Sequence, residues 1–263
     1  MNGRLLMLEP ASIAEYMALS ETVQESVAQG YPVTVFVSPG WKSKGVSIGK
    51  AQKISYVNLE ACREDSMEVV RRHTEGFAVI HYPDDVTYGI VVPRSLAGSK
   101  RNFDDKVLPV LVRSLERITV PNCYDPFPTR CGNVFANRKK IAGSAQNRNK
   151  NAWLQHGIIA LKRRRAEDYT RYLDGEKDLA RIEAQMTSVE EEGGIVDKRN
   201  LAAVIAEEFQ RRLQDIDLKA SSLSAEEIEY AERLLKSKYR NSDWLSHGTG
   251  AYDKSGRVGC FTE

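Results

Sequence analysis

Lys140 stands immediately before Ile141-Ala142-Gly143-Ser144-Ala145-Gln146, and His156-Gly157 follows ten residues after Gln146. Small residues beside a lysine let a ligand approach the backbone closely, because little or no side chain stands in the way. The lysine then supplies a point charge for a phosphate or a developing oxyanion. This pattern specifies a small-molecule or acyl-transfer site with an anionic centre, and it leaves the substrate open. Lys139 is the weaker candidate, because neighbouring residues on a strand face opposite sides.

The elements that must position these residues follow from periodicity and caps. Arg4 to Leu8 reads as a strand. Ser12 with Glu15 forms a capping box that opens a helix to about Gln29. Val33 to Val37, Val69-Val70, Phe77 to His81 and Val86 to Val92 read as strands, with a turn at Thr74–Gly76. Gly40, Gly45 and Gly49 break up the intervening segment. Phe103 to Ile118 has helical apolar spacing. Pro121, Pro126, Pro128 and Gly132 make a loop carrying Cys123 and Cys131. Val134-Phe135, Lys140 to Ala145 and Trp153 to Leu161 are strand candidates. Ala166 to Leu173, Arg199 to Leu213 and Ala225 to Lys238 read as helices, the last opened by Ser224 with Glu227. The result is an α+β chain: a catalytic core over 1–165, a helical part of the same domain over 166–246, and a mobile Gly-rich tail over 247–263.

The bulk numbers exclude several classes. The chain has 263 residues, 41% apolar and 28% charged, with a net charge of +2. That is ordinary for a soluble globular protein and gives no global field for nucleic acid. No apolar run approaches a membrane span, and the first residues read as a strand rather than a signal peptide. The four cysteines show no CxxC pair and no metal-ligand rhythm with the four histidines, which implies no metal site and a reducing cytoplasm. From Arg138 to Arg165 there are nine Lys or Arg and no Asp or Glu. The bland account is a solvated face; the functional one is a landing surface for an acidic partner or a phosphate.

The order of motifs adds a family. K-K-I-A-G-S-A-Q followed by L-Q-H-G resembles the catalytic segment of the biotin/lipoate protein ligase superfamily, on its lipoate ligase and octanoyltransferase side. Arg71 to His81 (RRHTEGFAVIH) resembles that family's R-R-x-[ST]-G-G-x-A-V-x-H, and Asp84 to Tyr88 its G-D-L-T-Y. Trp41 with Val46-Ser47-Ile48-Gly49 and Gln52 is similar to its W-x-x-x-x-V-S-L-G-x-x-Q. Lys238 to Trp244 is similar to its K-Y-x-S-x-x-W. The pieces fall in family order along nearly the whole chain. The resemblance implies a mixed sheet flanked by helices, with the ligand in a tunnel-like pocket.

It also implies roles. Lys140 contacts the reactive centre of the acyl donor. Arg71, Arg72, Thr74, Gly76 and His81 frame the ligand pocket, joined by Gly143, Ser144, Ala145, Gln146 and His156. The bland alternatives are surface ion pairs for the arginines and structural hydrogen bonds for the histidines. Cys123, in N-C-Y-D-P, resembles the C-F-D-x-P segment of one octanoyltransferase group, in which the cysteine carries the acyl chain as a thioester. Alone, a free cysteine is more often a small buried hydrophobe. A nearby ammonium such as Lys140 would lower its thiol pKa. Cys131 is the poorer candidate.

One departure matters. The family's glycine pair is Glu75-Gly76 here, and a carboxylate at that turn disfavours an adenylate more than a thioester. The implied activity is acyl transfer: octanoyl or lipoyl moves from an octanoyl-acyl carrier protein, through a Cys123 thioester and without a cofactor, onto the lysine of a lipoyl-domain or glycine-cleavage H-type protein. The alternatives are an ATP- and Mg-dependent lipoate–protein ligase subunit with a separate accessory subunit, and a non-catalytic protein that binds acyl groups or lipoyl domains.

Overall fold

The computed structural model describes residues 1–124 and 132–248. Cys131, Cys260 and the tail from 249 lie outside the described residues. The strands are β1 Asn2–Met7, β2 Val33–Ser38, β3 Gly45–Ile48, β4 Glu68–Arg71, β5 Val79–His81, β6 Val86–Pro93, β7 Cys123–Tyr124, β8 Val134–Ala136, β9 Lys139–Arg148, β10 Ala152–Ile159 and β11 Asp217–Ser221. The α-helices are α1 Ile13–Ala28, α2 Leu59–Glu64, α3 Arg94–Ala97, α4 Lys100–Arg117, α5 Ala166–Tyr172, α6 Leu179–Gln185, α7 Lys198–Arg212, α8 Ala225–Leu234 and α9 Ser242–His247.

Eight strands form one mixed sheet in the order β11-β1-β2-β6-β10-β9-β8-β7. Alternation along its central strands feeds two cores. Val33, Val35 and Val37 of β2, with Val86, Tyr88, Ile90 and Val92 of β6, face the cluster built with Phe103, Leu111 and Phe209 of α4 and α7. Phe36 and Val91 face the opposite cluster, built with Tyr16, Met17 and Val23 of α1. The sheet therefore lies between two helical layers. Both capping boxes are present: Ser12 and Glu15 open α1, and Ser224 and Glu227 open α8.

A second sheet, β4-β3-β5, packs on its own small core with α2 and α5. The glycine-broken segment is thus a strand in which Gly45 pairs with both Glu68 and His81. The helical C-terminal part also returns a strand. β11 pairs in parallel with β1 at the edge of the main sheet.

Candidate active site

A cavity of about 590 Å³ opens between the two sheets. Its walls include Ser47 of β3, Arg72 to Ile80 apart from His73 and Thr74, His81 of β5, Lys140 to Arg148 of β9, and His156 to Ile158 of β10. Met17, Val79, Ile80 and Ile158 give it apolar surface suited to a hydrocarbon chain.

Lys140 lines this cavity. The side chain folds back over Gly143, where a Cβ would lie 2.9 Å from Lys140 Cε and 3.0 Å from Nζ. Glycine at 143 is therefore what leaves room for the ammonium. Among the described residues no carboxylate pairs with it. Burial, with the Arg72 and Arg164 guanidinia as lesser causes, brings its pKa down to about 8.

Gly143, Ser144, Ala145 and Gln146 all line the cavity. Ser144 Oγ donates to the Gly132 carbonyl at 2.6 Å and accepts from Gln155 Nε2 at 2.8 Å. Gln146 Nε2 donates to Gln155 Oε1 at 2.9 Å and to Asp104 Oδ1 at 2.6 Å. This chain of side chains fixes the inner face of β9.

The two adjacent arginines divide. Arg72 lines the cavity; its Nη2 donates to the carbonyls of Glu75 and Phe77 at 2.9 and 2.8 Å, which holds the turn containing Gly76 at φ +102°. Burial draws its pKa down to about 10. Arg71 is not among the lining residues. Its guanidinium is buried and donates to the carbonyls of Gly49, Lys50, Gln52, Trp244 and Leu245 at 2.5–3.1 Å, so the expected pocket role falls to Arg72 alone. β4 ends at Arg71, and Arg72 is the first residue of the turn that follows it.

His81 and His156 line the cavity, each with one ring nitrogen engaged: His81 Nε2 with Ser47 Oγ at 2.8 Å, His156 Nε2 with Thr74 Oγ1 at 2.9 Å. Thr74 touches His156 and is not itself among the lining residues. Burial first, and nearby cations second, hold both rings well below the usual histidine range, so both are neutral at pH 7. Arg72 Nε, His81 Nδ1, Gln146 Oε1, His156 Nδ1 and Arg164 Nη1 are buried without hydrogen-bond partners among the described residues, and all belong to cavity-lining residues. These are donors and acceptors that a ligand or solvent entering the cavity could satisfy.

Cys123 is placed elsewhere. It is not among the lining residues; its Sγ lies 3.6 Å from the Val120 carbonyl and its side chain packs on the α4/α7 core. Register gives the reason. Cys123 pairs with Ala136, and Ala136 with Lys139, whereas Lys140 pairs with Phe135. Paired residues share a face, so Cys123 and Lys140 face opposite sides of the sheet. Burial, then the Glu116 and Glu192 carboxylates, push the thiol up to about 12, opposite to the expected lowering by Lys140.

The basic run from Arg138 to Arg165 does not form one free face either. Lys162 pairs with Asp84 at 3.7 Å, Arg163 with Glu183 at 3.1 Å, Arg164 with Asp85, and Arg165 with Glu167 at 3.9 Å. Arg164 and Ser47 are the site residues that the role assignments missed. Ser47 lay inside the V-S-I-G motif, and Arg164 answers the buried Asp85 of D-D-V-T-Y.

A cavity with apolar surface and, among the described residues, a lysine without a carboxylate partner, set between a large mixed sheet and a small one, suits a ligand with a hydrocarbon chain and a polar end. Residues 12–213 match the model of the lipoyl protein ligase A/B catalytic domain, and the chain belongs to that family. Among its relatives is Octanoyltransferase LipM of Exiguobacterium sp., 30% identical over 60% of this chain and 65% of that protein, just under two thirds of its length. Octanoyltransferase LipM of Lysinibacillus sphaericus is 28% identical over 87% of this chain and 92% of its own. The fold matches that of lipoate-protein ligase A bound with ATP, with TM-score 0.80, 21% identity, and 94% and 99% of the two chains covered. It also matches a bi-partite lipoate protein ligase from Thermoplasma acidophilum, with TM-score 0.80, 22% identity, and 96% and 99% covered. At those identities the structural likeness is one of fold.

Proposed function

We propose that the protein moves an octanoyl or lipoyl group from the thioester of an acyl carrier protein onto the acceptor lysine of a lipoyl-domain or glycine-cleavage H-type protein. The observation that carries this reading is the Lys140 ammonium, unpaired by carboxylates among the described residues, at the wall of the cavity over Gly143. The octanoyltransferase relatives support the donor class.

The hydrocarbon chain beds on Met17, Ile80 and Ile158, and the thioester carbonyl comes to Lys140. In the proposed first step the Cys123 thiolate attacks the carbonyl carbon, the bond to the carrier sulfur breaks, and the carrier leaves as its thiol with the proton that Cys123 lost. The acceptor amine then attacks the new thioester. As the amide forms, the proton lost by that nitrogen returns to the Cys123 sulfur. Lys140 stabilises the oxyanion of both steps. Cys123 must first turn from the core side, and β7, the two residues Cys123 and Tyr124 at the sheet edge, opposes that turn with few ladder bonds. The attacking amine must be neutral. The surroundings that bring Lys140 down to about 8 also favour the neutral form of an entering lysine.

This route needs no cofactor. ATP and Mg²⁺, and an accessory subunit, belong to the ligase route. The turn that would face a phosphate fits it poorly, because the Glu75 N–H is already donated to the Gln146 carbonyl at 3.1 Å. Intact-mass analysis after mixing with octanoyl-acyl carrier protein tests the reading. The expected result is one octanoyl group on Cys123, discharged by a lipoyl domain. ATP–pyrophosphate exchange with lipoate, and no adduct, would replace it with the ligase.

A further inference from the structure

The cavity is lined by six basic residues, Lys50, Arg72, Lys100, Lys140, Arg148 and Arg164. An acceptor lysine arrives as an ammonium and meets this field. Of the acidic lining residues, Asp104 is paired with Lys100 at 3.7 Å and Glu176 with Arg181 at 3.1 Å. Glu75 and Asp174 make no ion pair among the described residues. Asp174 hangs from Tyr56 by its own N–H. Glu75 is tied directly to the site: its N–H bonds the Gln146 carbonyl on β9, and its carbonyl accepts from Arg72. It is exposed, next to Gly76, at the rim of the cavity. Arg72 spends both terminal nitrogens on Ser47 and on the Glu75 and Phe77 carbonyls, so no hydrogen bond or ion pair joins it to the Glu75 carboxylate, whose charge acts on Arg72 only through space.

We propose that Glu75 is the charge selector of the cavity mouth: it receives the acceptor lysine's ammonium and turns away acyl donors that carry a phosphate. The inference rests on the acyl-transfer reading and names a positioning residue for it. An ammonium pauses at Glu75 before moving inward, where the cationic wall disfavours its charged form and the amine is freed to attack. A thioester carries no charge at the reacting group and passes unaffected, whereas an adenylate phosphate is repelled.

Two variants test this. Glu75→Gln keeps the size and removes the charge; Glu75→Gly restores the open turn. Both should raise KM for a lipoyl-domain acceptor roughly tenfold at low salt, with little change in the rate of enzyme acylation by octanoyl-acyl carrier protein. The difference should shrink at about 0.5 M salt, where charge is screened. Titration calorimetry with a non-hydrolysable octanoyl-adenylate mimic should show a gain of about tenfold in both variants over wild type. An unchanged acceptor KM, or an unchanged affinity for the mimic, overturns the proposal. Failure of the wild type to take octanoyl from the carrier would sink the acyl-transfer reading instead, and the calorimetric arm alone would then decide Glu75.

Discussion

Lys140 folds tightly over Gly143: a Cβ there would lie 2.9 Å from Lys140 Cε and 3.0 Å from the ammonium nitrogen. The first prediction follows from both residues. Lys140→Ala should cut transfer by about 10²–10³, the usual loss for one donor at a developing oxyanion. Gly143→Ala should cost less than Lys140→Ala, because the flexible end of Lys140 needs to give only a few tenths of an ångström to accommodate the methyl group. Lys139→Ala should be mild. Single-turnover rates with octanoyl-acyl carrier protein measure all three, and near-normal turnover in Lys140→Ala would remove that lysine from the mechanism.

A second prediction concerns pH. The Lys140 pKa is lowered to about 8, so the side chain is charged below that value and neutral above it. Octanoate stays ionised throughout, so its affinity should hold on the acid side and fall as pH rises through about 8, by up to tenfold per unit. A bound carboxylate favours the charged amine, so the fall begins at the free value near 8 and levels off only at the higher value of the complex. Calorimetric titrations from about pH 6 to about pH 10 read the curve. The Lys140→Ala variant should bind weakly with no break near 8; a flat wild-type curve would place the carboxylate elsewhere.

For Cys123, the thiol is half-buried and pushed up to about 12, so the resting protein should react slowly. Iodoacetamide at neutral pH should label Cys123 at least about a hundredfold more slowly than a free thiol, since only the thiolate reacts. Cys123→Ser should nevertheless abolish the stable octanoyl adduct, while Cys131→Ser keeps it. Rapid labelling of the resting protein, located by peptide mapping, would show that Sγ already faces outward. An adduct that survives in Cys123→Ser would assign the nucleophile to another residue.

Much of this architecture is legible in the chain because it rests on local signals. Ser12 with Glu15 and Ser224 with Glu227 write helix starts into four residues. The long apolar strands β2 and β6 announce themselves by composition. β11 does not: D-L-K-A-S is mostly polar, and it is a strand because β1 offers an unpaired edge, a fact found only in tertiary structure. The site was legible to the same degree. Lys140 and the small residues after it, which line the cavity, stand out by type and spacing. The side of the sheet that Cys123 faces was not, because it depends on the register of a two-residue strand. Nor could adjacency say which of Arg71 and Arg72 turns inward.

The last prediction separates those arginines. Arg71 and Trp244 hold each other: Arg71 Nε donates to the Trp244 carbonyl at 2.9 Å, and Trp244 Nε1 donates to the Arg71 carbonyl at 2.8 Å. The Lys238 ammonium lies 4.3 Å from the Trp244 ring centroid and pairs with Glu21 at 2.8 Å, while the Tyr239 hydroxyl bonds Glu21 and stands 3.0 Å from His73 Nδ1. The K-Y-x-x-x-x-W stretch is thus a clasp that fastens α9 to β4, and Arg71 is its centre. Arg71→Met removes the buried cation and leaves the Gly49, Gln52 and Leu245 carbonyls without their donor. Hydrogen bonds from a charged group contribute about 1.5–3 kcal/mol each, and orphaned buried acceptors add to the loss, so stability should fall by about 3 kcal/mol or more. Urea unfolding measures that. At temperatures where the variant stays folded, its octanoate affinity should match wild type, because Arg71 lies outside the cavity lining. Arg72→Met should do the reverse in binding, weakening octanoate, because that guanidinium lines the cavity and is one of the cations acting on Lys140. If Arg71→Met instead unfolds like wild type and loses octanoate, Arg71 belongs to the ligand and the clasp does not depend on it.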